Sequence, residues 1–330
     1  MKRKLLTGGA ILLAVVVALA AVAYLYRPSP GDQVQIEVAS GATTSQVAAQ
    51  LETRDVITST LFFRLMARVR GLEGELQAGR YEMAEGMGVQ AALDVLSRAP
   101  VEKGVTVPIP EGFSLRQIAE RLEARTQIVG ADFIAAAESG IARASIQPPD
   151  VNLLEGLLFP ESYFVGEREN AEGVVRRMVE QFEQRTVSLD WSLPESRGLS
   201  RYQAVIIASL IEREARVAED RPKVAAVIYN RLARGMRLQI DITALYGLDE
   251  HKVPTRADLQ RESPYNTYLI DGLPPTPIAS PGLESLNAAL HPANGDWLYY
   301  VVIDPSGRHG FTNSPEEFER LKQQRPAEVH

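Results

Sequence analysis

Apolar positions along this chain change their spacing from one stretch to the next, and each spacing predicts a different element. From Leu5 to Leu25 the chain is almost uninterruptedly apolar, about 21 residues that at roughly 1.5 Å each would cross a bilayer core of about 30 Å. A Pro/Gly linker follows, "RPSPGD" from Arg27 to Asp32. Two stretches then align without gaps, "IEVASGATTSQVAAQLETR" (36–54) and "VPIPEGFSLRQIAERLEAR" (107–125). Each reads as a short alternating strand, a Gly turn, a Ser/Thr suited to helix N-capping and an amphipathic helix. Gly41 falls on Gly112, Gln46 on Gln117 and Leu51 on Leu122. Between them, 78–99 predicts a third strand–turn–helix, with Tyr81 and Met83 on one strand face and Val89, Leu93 and Val95 in the helix. From residue 101 onward, helical spacing covers 114–125, 131–139, 171–186, 201–218, 221–234 and 283–290, and short strands are expected at 236–240 and 297–303. Pro-rich loops occupy 145–151 and 272–282. The expected fold class is α+β: an N-terminal transmembrane helix, a small βα module and a larger mixed α/β domain with a helical core.

Composition changes this picture in three ways. The chain has 330 residues, 45% of them hydrophobic, enough for about two domains beyond a membrane segment. Lys and Arg number 35 against 42 Asp and Glu, for a net charge of -7; that balance argues against the broad basic face a nucleic-acid partner needs. Cysteine is absent, which excludes disulfides, iron–sulfur clusters and thiolate zinc sites. The four histidines, His251, His291, His309 and His330, are scattered and lack HExxH spacing, and no GxSxG, GxxxxGK[ST] or GxGxxG motif is present. No metal and no cofactor is therefore expected.

Lys2, Arg3 and Lys4 lie on the N-terminal side of the apolar run, so the positive-inside rule sends the bulk of the chain across the membrane. The expected order is a cytoplasmic tail (1–4), a transmembrane helix (5–26), a linker (27–33), the small module (34–100) and the larger domain (101–330). Ala20, Ala21 and Ala23 would suit a cleaved signal peptide instead, although such apolar regions usually run about 7–15 residues. Both alternatives place the working part outside the cytoplasm.

Candidate chemistry comes from helix 201–218. Ala204, Ile207, Ala208, Ile211, Ala215 and Ala218 make one apolar stripe, widened by Ile206, Leu210 and Val217, and Glu214 falls inside that arc. Glu212 and Glu214 point about 200° apart and cannot share one cleft. Glu212 has Arg216 four residues downstream, which suits a surface ion pair. Glu214 has no such partner in its helix. Desolvation there would raise its pKa toward neutrality, as a general acid requires; the alternative is a buried ion held by Arg231 or Arg237. Alternation in 236–240 puts Gln239 and Asp241 on one side, with Thr243 and Tyr246 nearby. The stiff loop "SPYNTYLIDGLPPTPIASPG" (263–282) adds Tyr265 and Asn266, whose amide and phenol groups suit sugars. Ser209, with no histidine in a suitable context, reads as a small helix residue.

"AGRYEM", "LLEGLLFPESYFV" (153–165), "IASLIEREA", "VAAVIYNRLARGMRLQIDITALYGL", "SPYNTYLIDGLPPTPIASPG" and "HPANGDWLYYVV" (291–302) resemble, in family order, the endolytic murein transglycosylases of the MltG, or YceG-like, type. The resemblance covers nearly the whole chain. It implies a single-pass inner-membrane enzyme with its bulk in the periplasm, a LysM-like module at 34–100 and a catalytic domain at 101–330. Its implied substrate is nascent peptidoglycan, cut within the glycan strand to leave 1,6-anhydro-N-acetylmuramic acid ends. Its implied partners are peptidoglycan glycan strands, inner-membrane lipid and the peptidoglycan synthases, the penicillin-binding proteins. The second Glu of the family's E-x-E pair corresponds to Glu214, the carboxylate the helical wheel singles out; Gln239, Asp241, Thr243, Tyr246, Tyr265 and Asn266 are the candidate substrate-binding residues. The sequence departs at Ala215, where lytic transglycosylases usually carry Ser or Thr. Two other functions remain open: a hydrolytic muramidase using Glu214 with Asp241, and a membrane-anchored wall-binding scaffold without catalysis, which would leave Glu214 as a buried structural ion; independently of these, 34–100 reads equally as a spacer that binds nothing.

Overall fold

A computed structural model describes residues 31–39, 41–98, 103–248 and 253–324. The transmembrane expectation for 5–26 lies outside them, and no helix among the described residues is long and apolar enough to cross a membrane. The chain divides after Lys103 into two units, each with its own apolar cluster.

In the first unit the order is β1 (Gln33–Val38), α1 (Thr44–Thr53), α2 (Thr60–Val69), β2 (Gly79–Ala84) and α3 (Gly88–Leu96). β1 and β2 pair antiparallel with Ile36 opposite Tyr81. Alternation turns Ile36, Val38, Tyr81 and Met83 inward, where Val47, Leu51, Phe63 and Leu93 meet them. Helix α2 has no counterpart in the sequence-based expectation. Its apolar residues occupy both its buried and its exposed sides, and this blurs the period that would announce it.

In the second unit the order is β3 (Gly104–Pro108), α4 (Leu115–Arg125), α5 (Gly130–Glu138), β4 (Ser162–Gly166), α6 (Ala171–Thr186), α7 (Ser192–Ser196), α8 (Arg201–Glu214) and α9 (Arg221–Ala233). Then come α10 (Asp241–Leu245), α11 (Arg256–Leu259), α12 (Leu283–Leu290), β5 (Tyr299–Val302), β6 (His309–Thr312) and α13 (Pro315–Lys322). The strands form separate antiparallel pairs, β3 with β4 and β5 with β6, so the core is helical. α8 runs through it, packed against α9 and α12.

The internal match encodes a turn and a cap. Gly41 and Gly112 sit at φ 76° and 77°, in the left-handed region that favours glycine. Thr43 with Gln46, and Ser114 with Gln117, close capping boxes at the starts of α1 and α4.

Two expectations need correction. Helix 201–218 ends at Glu214; Ala215 is extended at φ -90° and ψ 103°, so Val217 and Ala218 leave the stripe. From Ala204 to Ile211 the helix is buried on every side, as a helix apolar all round must be. The segment 236–240 is not a strand: it has no ladder partner among the described residues, and Gln239 at φ 48° breaks the extended run.

Candidate active site

Ser200 caps α8 by accepting from the Gln203 N–H, with Gln203 closing the box, and the buried run from Ala204 to Ile211 locks the helix into the core. Glu214, its last residue, is delivered half-buried to a cleft of about 660 Å³. Gln239, Asp241, Tyr268, Tyr300 and His309 line the same cleft. The carboxyl is raised from 4.5 to about 7, chiefly by desolvation, next by the charge of Asp241; the Tyr300 hydroxyl and Arg213 act the other way. Lying at the C-terminal, negative end of α8 favours the protonated form further.

Tyr300 on β5 donates its O–H to Glu214 Oε2 at 3.0 Å. Its ring meets the His309 ring edge-on, centroids 5.2 Å apart. His309 is itself held by Asp220, whose Oδ2 accepts the backbone N–H at 2.7 Å and lies 3.2 Å from Nδ1. Burial keeps this imidazole's pKa below its ordinary value despite Asp220. A line of contacts thus runs from Asp220 through His309 and Tyr300 to the carboxyl. Across the cleft, Tyr268 donates to Asp241 Oδ1 at 2.5 Å.

No ion pair holds Glu214 among the described residues. Arg231 is buried and donates instead to the carbonyls of Leu298 (2.6 Å), Leu238 (2.7 Å) and Arg237 (3.2 Å), pinning the segment that carries Gln239. Arg237 pairs with Asp271 at 3.0 Å. Glu212 is not the surface partner of Arg216 either. Its side chain is 7% exposed, accepts the Gly282 N–H at 3.0 Å at the start of α12, and lies 3.9 Å from Arg221. Sequence neighbours on a helix surface suggested the one pair; the packing of α12 against α8 supplies the other.

The model of the YceG-like family matches residues 36–324 of this chain. The chain belongs to the YceG-like family. It is 33% identical over 305 residues to an endolytic murein transglycosylase of Bacillus subtilis, covering 88% of this chain and 84% of that one. To one from Streptococcus pneumoniae it is 28% identical, over 87% of this chain but only 57% of the longer relative. A crystal structure of a YceG-like protein from Listeria monocytogenes superposes with a TM-score of 0.57 at 31% identity, over 88% of this chain and 98% of that one.

Of the residues singled out in the sequence of this YceG-like chain, the fold brings Glu214, Gln239 and Asp241 to one cleft and leaves four elsewhere. Thr243 and Asn266 are both 0% exposed. Thr243 shares a hydroxyl contact of 2.8 Å with Thr267, and Asn266 donates to the carbonyls of Leu259 and Arg261. Tyr246 donates to Glu155 at 2.8 Å, and its ring lies 4.4 Å from that of Tyr265 at a tilt of 42°; Tyr265 contacts Thr276. All four brace the loop that presents Tyr268, so their polarity serves packing and not the cleft. Sequence reasoning placed Tyr268 in the sugar-suited loop without singling it out, and missed Tyr300, His309 and Arg216 as cleft residues. Nothing local marks them, since tyrosine in a strand is ordinary, though each lies in or near a stretch already recognised as a family motif.

Proposed function

We propose that this chain is an endolytic lytic transglycosylase that cleaves the bond between N-acetylmuramic acid and N-acetylglucosamine in nascent peptidoglycan. The observation that carries this is the carboxyl of Glu214, poised near pH 7 in a cleft walled by aromatic rings and bordered by Arg216 and Lys322. The relatives named endolytic murein transglycosylase support the same reading. Protonated Glu214 donates to the glycosidic oxygen as the bond breaks, leaving oxocarbenium-like charge on the muramyl C1. The muramyl C6 hydroxyl then attacks C1 and passes its proton to Glu214, which closes the 1,6-anhydro ring and regenerates the acid. Since the attacking oxygen belongs to the substrate, one carboxyl suffices where hydrolases commonly use two. Tyr300 holds the carboxyl in place and stabilises its ionised form, while Asp241 faces the developing positive charge. Tyr268, Tyr299 and Phe318 offer stacking faces for sugars.

Residues 5–26 we infer to be a membrane anchor that leaves the remainder of the chain on the periplasmic side. There it would meet strands as the synthases release them, which makes those enzymes the natural partners. A second reading, hydrolysis with Asp241 as base, draws on the presence of a second carboxylate in the cleft. Mass spectrometry of digested glycan strands separates the two: anhydro-muramyl ends are expected, and reducing muramyl ends would replace this conclusion by the hydrolytic one. Glycan of unchanged length after incubation with the folded full chain would favour the scaffold.

A further inference from the structure

Helix α2 buries Phe63 and Ala67 in the first unit's core and leaves four large apolar side chains outside it. Leu61, Phe62, Leu65 and Val69 are 76%, 48%, 56% and 72% exposed. On a helical wheel they share one arc of about 100°. Arg64 and Arg68, both exposed, border that arc, and Thr60 to Leu72 contains no acidic residue. Arg68 reaches Glu73 at 2.9 Å, but both side chains are largely in water, where such a pair is worth little and exchanges readily. Four adjacent large apolar side chains with a basic border form a contiguous patch of the kind that marks partner or membrane contacts.

Their position in the unit says what covers them. The chain leaves its apolar segment through the linker and enters the unit at Gly31, whose N–H donates to Glu85 O at 2.8 Å. The next residues along, Gly86 and Gly88, donate to Asp55 O at 2.7 Å and Val56 O at 3.1 Å, and α2 begins at Thr60. The linker exit and the start of α2 therefore lie at the same end of the unit. From the end of the apolar segment to Gly31 the chain can stretch at most about 20 Å, so an anchored chain holds this end close to lipid.

We propose that the exposed face of α2 rests in the membrane surface on the side of the folded chain. Leu61, Phe62, Leu65 and Val69 enter the boundary between headgroups and acyl chains, and Arg64 and Arg68 reach lipid phosphates. An apolar arc with Phe and Leu, edged by arginine, is the composition of helices that lie in that boundary. This inference rests on the anchor reading of residues 5–26 given above. The anchor and the helix would together fix the first unit on the membrane, where a tether alone would leave it to swing.

The natural absence of cysteine makes the test direct. Single-cysteine variants Leu65→Cys and, as control on β2, Glu82→Cys, both at exposed positions, are labelled with an environment-sensitive fluorophore in the full chain. The labelled chains are reconstituted into vesicles of phosphatidylethanolamine and phosphatidylglycerol. Expected is quenching by nitroxide-bearing lipid at least about fivefold stronger at position 65 than at 82, with the reverse order for aqueous iodide. A label at 65 that iodide reaches as readily as at 82, in vesicles that carry the protein on flotation, would overturn the contact while leaving the anchor intact. Shielding from iodide without quenching by lipid would also overturn it, in favour of a second copy of the chain. Failure of the full chain to float would remove the anchor and this inference together.

Discussion

A carboxyl that must give a proton and then take one back works best with a pKa near the ambient pH, and Glu214 reaches about 7 through burial, the neighbouring charge of Asp241 and a restraining hydrogen bond from Tyr300. The two neighbours can each be tested. In Tyr300→Phe the bond that lowers the pKa is gone, so the alkaline limb of the activity profile is expected to move to higher pH, with a lower maximal rate. Asp241→Asn removes the like charge, so that limb is expected to move to lower pH; limbs that stay put in both variants would dissociate the profile from Glu214. Glu214→Gln is expected to reduce turnover of glycan strands by at least about a hundredfold while raising stability. The sign follows from linkage: a folded-state pKa above the ordinary 4.5 contributes stability that is whole below about 4.5 and is lost as pH rises through about 7. The variant should therefore match the parent in thermal unfolding at pH 4 and exceed it at pH 8, by on the order of 2–3 kcal/mol. Gln239 is strained, at φ 48° on the cleft wall. Gln239→Gly is expected to gain about 1 kcal/mol in denaturant unfolding and to weaken substrate binding, seen as a raised KM.

Among the elements, α8 shows how two acids two residues apart part company. Glu214 ends the helix and faces the cleft; Glu212 turns inward to the N-terminus of α12 and to Arg221. Glu212→Ala is expected to cost about 2–3 kcal/mol, because a buried N–H and a largely buried guanidinium lose an acceptor, yet to leave the position of the alkaline limb unchanged. A shifted limb would show that Glu212 also tunes the acid. The helical wheel isolated Glu214 because burial around it is set by sequence-near residues such as Leu210 and Ile211. It misjudged Glu212, whose partners come from residues 221 and 282. Likewise the matched pairs Gly41 with Gly112 and Gln46 with Gln117 were legible, since turns and caps are local, whereas the opposite partners that β1 and β3 choose were not.

At the scale of the whole molecule, two separate apolar clusters stand on either side of Lys103. Residues 104–330 expressed alone are expected to unfold in one cooperative transition and to retain Glu214 with its raised pKa, since every described residue lining the cleft lies in that stretch; a noncooperative melt would show that the second unit depends on the first. The sequence by itself determined the family, most of the helices and the absence of thiol chemistry, and it singled out the carboxyl at 214 as a candidate, because these follow from composition and from spacing along a single element. Only the tertiary structure decided that Tyr300, His309 and Asp220 stand behind that carboxyl, that Thr243 and Asn266 are scaffold, and that α2 keeps an apolar face in water. Such facts depend on which distant segments meet, and hydrophobic periodicity reports that a face is buried without reporting what it is buried against.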